Sequence, residues 1–251
     1  MAPGTYLRSQ RFFPCHLRLL CAGCRSLGAK TYRRIGGVLL SKRPVSASEH
    51  LKFLLEESNL TPLTQGQSAC FEDYLSLILR WNARVNLTAI RDEEGILKRH
   101  FVESIACAQA LPAGIDSLLD FGSGAGFPGI PIAICRPEIA VTLAESQNKK
   151  AAFLSEAVRV LGLSTKVHPA RAEALGMVFD CITLRAVDHM GLAVKAAAPL
   201  VRPSGWLALM TTNSDLVSLQ SVVGNDFVWS EPIIQPGGED HLLGLGVRVV
   251  N

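Results

Sequence analysis

The sequence contains no apolar run that approaches the length of a membrane span, although 48% of its 251 residues are hydrophobic. A membrane-embedded protein is therefore not expected, while the apolar content suffices for a sizeable core. The sequence also shows no internal repeat and no low-complexity segment. Its length allows one large domain or two small ones.

Acidic side chains are absent from residues 1–48, which hold nine of the 25 Lys and Arg residues. Residues 49–251 carry the other 16 against 22 Asp and Glu, so the body of the chain is acidic. Such a tail could attract RNA phosphates, act as an organellar transit peptide, or result from a misassigned start codon. Gly and Pro interrupt it and no period persists, so we expect residues 1–45 to be a disordered basic extension of a cytoplasmic protein. Organellar import is the alternative.

The seven cysteines lack the spacing of a metal site or a disulfide framework. Their number is odd, and the tail has no uninterrupted apolar core typical of a secretory signal, so reduced thiols are expected. Cys21 and Cys24 form one C-x-x-C pair, but no second pair follows. We therefore expect no metal.

The most informative segment is Leu118–Gly129, in which an apolar strand is followed at once by a glycine turn. The strand carries Asp120 near its end, and the turn contains Gly122, Gly124, Gly126 and Gly129. Glycines at this spacing allow a tight turn and expose main chain to a ligand.

Two nucleotide-binding interpretations compete for this turn. Residues 124–129 satisfy the dinucleotide pattern G-x-G-x-x-G, in which a pyrophosphate rests on the amides of a helix N-terminus. Asp120 would repel a phosphate there, and Pro128 and Pro131 have no N–H to donate. S-adenosylmethionine (SAM) carries a sulfonium and an ammonium, which a carboxylate attracts. We therefore predict a SAM turn in which Asp120, Gly122, Gly124 and Gly126 contribute to binding.

The remaining sequence predicts an α/β fold. Residues 46–111 show helical periodicity in His50–Ser58, Thr64–Trp81 and Glu93–Leu111, and they form a predicted helical N-terminal cap. From residue 112 onward strands and helices alternate, which predicts a doubly wound, mostly parallel Rossmann-like sheet. Two late strands, near 227–233 and 242–250, predict an antiparallel hairpin at one edge. Residues 46–251 are expected to form one compact domain.

Ligands of such sheets bind beyond the carboxyl ends of the strands, and this rule selects further candidates. Glu145 ends the second strand, where it would accept both hydroxyls of a ribose or instead cap the next helix. Ala172 and Glu173 follow the third strand, where they would meet an adenine edge, although Glu173 could be a solvated surface charge. Arg185 ends the fourth strand, close to the reacting groups, with ion pairing to Asp180 or Asp188 as its structural alternative.

Four ordered motifs resemble one family, the small-subunit rRNA guanine-N7 methyltransferases, also called glucose-inhibited division protein B. Residues 81–88 are similar to its W-N-x-x-x-N-L-T, and residues 99–104 to R-H-x-x-D-S with Glu103 in place of Asp. Residues 120–131 resemble D-x-G-[ST]-G-x-G-x-P-G-x-P, and residues 149–154 resemble K-[KR]-x-x-F-L. The resemblance covers residues 50–251.

The resemblance implies a class I SAM-dependent methyltransferase that methylates guanine N7 in small-subunit rRNA, naked or within a subunit particle. It places Gly122, Phe127, Ala172, Glu173 and Arg185 at the cofactor. N7 has a free lone pair, so no general base is expected, and Arg185 is assigned an orienting role. We further expect a monomer that binds neither metal nor membrane.

Two residues depart from the family pattern. Leu184 replaces a small residue and could crowd the pocket, and Met210 replaces a common Lys, so that another cation would have to serve. These departures keep open a non-catalytic RNA-binding relic, and a NAD-dependent dehydrogenase is the enzymatic alternative. Arg84, Arg91, Arg99 and His100 could form a phosphate-contacting edge, although His100 is more typical of a hydrogen-bonded packing residue.

Overall fold

The computed structural model describes residues 46–238 and 240–250. All of them belong to a unit that internal contacts define over residues 43–251. The predicted basic extension at residues 1–45, including Cys21 and Cys24, lies outside the described residues. The four described cysteines are free thiols.

From residue 46 onward, three helical stretches precede the sheet. Their bounds are α1 Ala47–Glu57, α2 Gln65–Asn82, and a continuous stretch of α3 Glu93–Ile96, a π-helical segment Leu97–Val102 and α4 Glu103–Ala110. The α2 helix begins with a capping box, in which Thr64 Oγ1 accepts from the Gln67 amide and Gln67 Oε1 accepts from the Thr64 amide. The predicted helices are confirmed to within a few residues.

The sheet has eight strands. They are β1 Ser117–Phe121, β2 Ala140–Ala144, β3 Lys166–His168, β4 Phe179–Arg185, β5 Val201–Thr212, β6 Phe227–Trp229, β7 Ile233–Ile234 and β8 His241–Arg248. The order is β3-β2-β1-β4-β5-β8-β6, and β7 pairs with β8. Strands β1 to β5 are parallel, whereas β8 is antiparallel to β5, β6 and β7. The predicted α/β sheet is confirmed, and its strand order reverses between β1 and β4, where ligands of such folds bind.

Two stretches of the sheet are irregular. Residues 203–205 form a bulge inside β5, because Val201 pairs with Phe179 and Trp206 already pairs with Cys181. The predicted strand at residues 227–233 is divided into β6 and β7, with Pro232 between them, a residue that cannot donate to a ladder. The antiparallel edge is therefore a three-strand arrangement around β8 rather than a simple hairpin.

Helices cover both faces of the sheet. The connecting helices are α5 Gly129–Cys135, α6 Asn148–Val160, α7 Met190–Ala197 and α8 Asn213–Val223. One core cluster combines Leu118 of β1 with Phe71, Phe101 and Phe153, and so joins the cap helices to the sheet. The other contains Leu119 and the apolar faces of α7 and α8. Adjacent residues of β1 thus point to opposite cores, as the pleat requires.

A stability prediction follows from the close approach of α5 to β1. A Cβ at Gly129 would lie 2.3 Å from Leu143 Cδ2 and 2.6 Å from Asp120 Oδ2. Gly129→Ala should therefore lower the free energy of unfolding by about 1–3 kcal/mol in urea denaturation. Gly66→Ala is the matched control, because a Cβ there meets nothing within 4 Å. It should be neutral or raise stability by about 0.5–1 kcal/mol. Equal stability of the two variants would contradict the close packing.

Candidate cofactor and substrate site

The carboxylate of Asp120 is buried, with only 1% of the residue exposed, and it holds the glycine turn together. Its Oδ2 accepts from the Gly129 amide at 3.1 Å, and its Oδ1 accepts from the Thr183 hydroxyl at 2.9 Å. Burial raises the pKa of Asp120 to about 6. Asp120 is not among the residues that line the cavity beside the turn, so its predicted part in binding a cationic ligand would be exerted through the turn that it holds.

The first turn of α5 has its amides engaged within the protein. The Gly129 amide donates to Asp120, the Ile130 amide donates to the Gly126 carbonyl at 2.8 Å, and Pro131 has no N–H. A dinucleotide pyrophosphate needs amides at this helix end. The geometry is therefore unfavourable for the dehydrogenase alternative. The amides of this helix end are already occupied, and this adds to the repulsion that Asp120 would exert on a phosphate.

Gly126 lies where the turn closely approaches α2. It has a φ of 93°, and a Cβ there would lie 2.7 Å from Tyr74 Oη. The Tyr74 hydroxyl donates to the Ala125 carbonyl at 2.5 Å and so fastens the turn to α2. Gly126 permits this close approach and does not line the cavity.

A cavity of about 790 Å³ lies at the carboxyl ends of β1, β2 and β4. The structure brings most of the predicted cofactor-binding residues to its wall. They are Gly122, Gly124, Phe127, Glu145, Ala172, Glu173 and Arg185.

Glu145 is fixed against the turn at the floor of this main cavity. Its Oε2 accepts from the Gly124 amide at 2.9 Å and its Oε1 from the Gln147 amide at 2.7 Å, with 6% of the residue exposed. Each carboxylate oxygen keeps a further lone pair for a ligand hydroxyl. Because Gln147 is the N-cap position of α6, the capping and ribose-binding interpretations are compatible.

The loop at residues 87–90 forms another wall of the main cavity, which motif reading did not anticipate. Buried Asn82 shapes this loop, because its Oδ1 accepts from the amides of Leu87 and Thr88 at 3.0 and 3.2 Å. Its Nδ2 donates to the Ile90 carbonyl at 3.1 Å. The W-N-x-x-x-N-L-T motif thus contains the start of this loop and also Asn82, whose side-chain amide holds the loop in place.

His100 is a packing residue beside the cavity rather than a phosphate-binding cation. Its ring stacks on Phe127 with a centroid separation of 4.6 Å, and its Nε2 lies 2.7 Å from Thr88 Oγ1. Burial, with the nearby Arg185 charge, lowers the pKa of His100 to about 3. The imidazole is therefore neutral near pH 7.

Arg185 pairs with Glu103, and not with Asp180 or Asp188. Its guanidinium donates to Glu103 Oε2 at 2.5 Å, to Ser104 Oγ at 3.2 Å and to the Arg99 carbonyl. The Glu103 side chain is 3% exposed, and it also lies 3.3 Å from the Arg99 Nε and 3.3 Å from His241 Nδ1. The i, i+4 spacing of Arg99 and Glu103 indicates an ion pair between them on one helix face. The pairing of Glu103 with Arg185 of β4 depends on the tertiary fold and was not predictable from the sequence.

A second cavity of about 480 Å³ adjoins the first and shares Ile90, His100 and Arg185 with it. Met210 lines it together with Arg99, so cationic side chains stand beside the position where a Lys was expected. Leu184 is fully buried in the core on the other face of the sheet. The expectation that Leu184 crowds the pocket is wrong.

Solved structures share this fold. The chain is similar to a predicted O-methyltransferase from Agrobacterium tumefaciens, with a TM-score of 0.50, 18% identity, and coverage of 59% of this chain and 82% of that one. A candidate O-methyltransferase from Klebsiella pneumoniae gives a TM-score of 0.51 at 16% identity, covering 78% and 95% of the two chains. The fold is that of class I SAM-dependent methyltransferases.

Within this class of proteins, the sequence matches one family. Residues 67–221 match the family model described as GidB, rRNA small subunit methyltransferase G. The ribosomal RNA small subunit methyltransferase G of Roseiflexus sp. strain RS-1 is 40% identical over 201 residues, 74% of this chain and 86% of that protein. The protein of the same name from Stenotrophomonas maltophilia strain K279a is 46% identical over 140 residues, 55% of this chain and 65% of its own length. The chain belongs to the rRNA small subunit methyltransferase G family.

Within residues 46–238 and 240–250, no group of three or more His, Cys, Asp and Glu side chains is arranged to hold a metal ion. No helix in the same ranges is both long and apolar enough to cross a membrane.

The raised pKa of Asp120 predicts an unusual pH dependence of stability. The pKa of this carboxyl is ordinarily 3.8 and is raised to about 6 in the folded protein. Between these two pH values the native carboxyl binds a proton more readily than the unfolded one. The contribution of Asp120 to the free energy of unfolding should therefore fall as the pH rises through this range, by an amount on the order of 3 kcal/mol. Neutral His100, whose pKa is lowered, contributes in the opposite sense, and it does so equally in the natural protein and in the variant. The free energy of unfolding of the natural protein relative to Asp120→Asn should therefore fall with pH by that amount, since the amide can accept from Gly129 and donate to Thr183.

Urea denaturation between about pH 4 and pH 7 measures this effect. Glu57→Gln, a substitution at an exposed position at the end of α1, should keep the profile of the natural protein. Parallel profiles for Asp120→Asn and the natural protein would contradict the assignment.

Proposed function

We propose that this protein transfers a methyl group from SAM to N7 of a guanine in small-subunit rRNA. The observation that carries the proposal is the main cavity, where a glycine turn is hydrogen-bonded to the Glu145 carboxylate and the helix end that follows the turn is occupied within the protein. This arrangement suits a ligand with a ribose and positive charges but no phosphate. Membership of the rRNA small subunit methyltransferase G family supports rRNA as the substrate.

The chain's own residues would bind and orient the reactants without moving a proton. When bound, SAM would supply an electrophilic methyl group, whose bond to sulfur breaks as the free lone pair of guanine N7 forms the new bond. The leaving group is a neutral thioether and N7 carries no proton, so the chain needs no general base. Neutral His100 would place no charge beside the sulfonium. The Glu103 carboxylate offsets the charge of Arg185, which would orient the reactants beside Phe127. Alignment of this kind is worth about 7–11 kcal/mol of the barrier.

The finer features belong to the same proposal. Asp120 and Gly126 would support the cofactor through the turn, while the residues of the cavity wall would contact it. The protein would act as a cytoplasmic monomer on rRNA or on a subunit particle. Its helical cap at residues 46–111 and its core at residues 112–251 would form one domain, which the shared core of Phe101 and Leu118 supports.

Transfer of labelled methyl from SAM to small-subunit RNA tests the proposed reaction. The label should enter the RNA, and borohydride–aniline treatment should then cut it at one position, because that chemistry cleaves at N7-methylguanine. Reactions with naked RNA and with intact subunits, each alongside a sample without SAM, separate the two substrate forms. Label without cleavage would reject N7 as the acceptor, and SAM binding without label would favour the non-catalytic relic.

Ribose binding by Glu145 predicts a specific loss of cofactor affinity. Glu145→Gln keeps the size of the side chain but removes the charge that strengthens hydrogen bonds from both ribose hydroxyls. The SAM dissociation constant from calorimetry should rise about 10- to 100-fold, which corresponds to about 1.5–3 kcal/mol.

Glu57→Gln serves again as the exposed control and should bind SAM like the natural protein. Circular dichroism confirms that both variants fold. An unchanged SAM affinity in folded Glu145→Gln would remove Glu145 from the binding site.

A further inference from the structure

The second cavity contains an unexplained polar group, the side-chain amide of Gln235. The residue is 3% exposed, and neither Oε1 nor Nε2 has a hydrogen-bond partner in the described structure. Burying a polar group without a partner costs about 1–3 kcal/mol, so a native protein rarely leaves an amide in this state. Both ends of one amide are unsatisfied here, which points to a ligand that both donates and accepts.

The backbone holds this amide in place. Gln235 directly follows β7, and its main-chain N–H donates to the His241 carbonyl at 2.7 Å at the start of β8. Gln235 is one of the residues that line the second cavity, together with Met210 and Thr211 of β5. A residue fixed between two paired strands is suited to position a ligand rather than to reach into solvent.

The charges of the second cavity favour a neutral occupant over a phosphate. Arg99 and Arg185 both line the cavity, but both already share the Glu103 carboxylate. Met210, which is 6% exposed, adds an apolar thioether that suits the face of an aromatic ring. The cavity volume of about 480 Å³ lies within the range of small-molecule sites.

We propose that Gln235 binds the target base in the second cavity through its Watson–Crick edge, an inference that rests on the proposed function. Guanine presents O6 as an acceptor and N1–H as a donor side by side, and the Gln235 amide supplies the complementary donor and acceptor. N7 and O6 lie next to each other on the purine. The two cavities meet at His100 and Arg185. A guanine held by its O6–N1 edge at Gln235 can therefore turn N7 toward the main cavity.

Gln235→Leu tests the inference, because leucine keeps similar bulk without polar atoms. Removing an unsatisfied buried amide should raise the midpoint of thermal unfolding of the free protein by about 2–4 °C. The kcat/KM for methylation of small-subunit RNA should fall about 10- to 100-fold, while the SAM dissociation constant stays unchanged. Gln65→Leu, at an exposed position at the start of α2, should change none of these quantities.

A binding measurement separates this inference from the proposed reaction. In saturation-transfer NMR with SAM present, guanosine 5′-monophosphate should bind the natural protein better than 1-methylguanosine 5′-monophosphate, whose N1 cannot donate. Gln235→Leu should lose that preference. Two outcomes would overturn the inference: methylation by Gln235→Leu at the natural rate, or equal binding of the two nucleotides by the natural protein. In either case, Gln235 would contact only solvent in the second cavity. Absence of methylation by the natural protein would count against the proposed function, and the nucleotide comparison would still decide the role of Gln235.

Discussion

The buried carboxylate of Asp120 fixes the geometry on which the candidate site depends. It connects three elements, because it extends from β1, accepts from the first amide of α5 and accepts from the Thr183 hydroxyl of β4. Burial disfavours its ionisation, and the hydrogen bonds offset part of that cost. The same contact removes the α5 amide from any ligand. The turn therefore offers a cavity walled by its own backbone and by Glu145, and the helix end is not available for phosphate.

A second buried carboxylate, that of Glu103, organises the boundary between the two cavities. It gathers Arg99 from the preceding π-helical segment, Arg185 from β4 and His241 from β8, and so couples the helices of residues 93–110 to the sheet. Burial raises the pKa of Glu103 despite these cations. Such a cluster gives little net stability, because desolvation offsets the attraction, but it restricts Arg185 to one orientation. That orientation places the guanidinium 6.0 Å from the Phe127 ring centroid, at the wall of both cavities.

Local sequence patterns were sufficient to predict which strand ends meet at the candidate site, but not to assign every contact there. The glycine turn and Glu145 were predictable because the parallel strands β1 and β2 carry them to one edge of the sheet. The direction of the Asp120 side chain was not predictable, since it depends on Thr183, which is 63 positions away in sequence. Gln235 belongs to no motif and follows a two-residue strand, so only the assembled fold shows its buried amide.

The two departures from the family pattern have different consequences because neighbouring residues of a strand point to opposite faces of the sheet. Leu184 pairs with Leu209 in register, and both side chains lie in the core shared with α7 and α8, away from either cavity. Arg185 pairs with Met210, and both line the second cavity. Only the change at position 210 therefore alters the site. The thioether of Met210 adds no positive charge at this position, so the wall of the second cavity is more apolar. The charge of Arg185 is offset by Glu103. This change disfavours a phosphate in the second cavity, and it is compatible with an aromatic base whose polar edge meets Gln235.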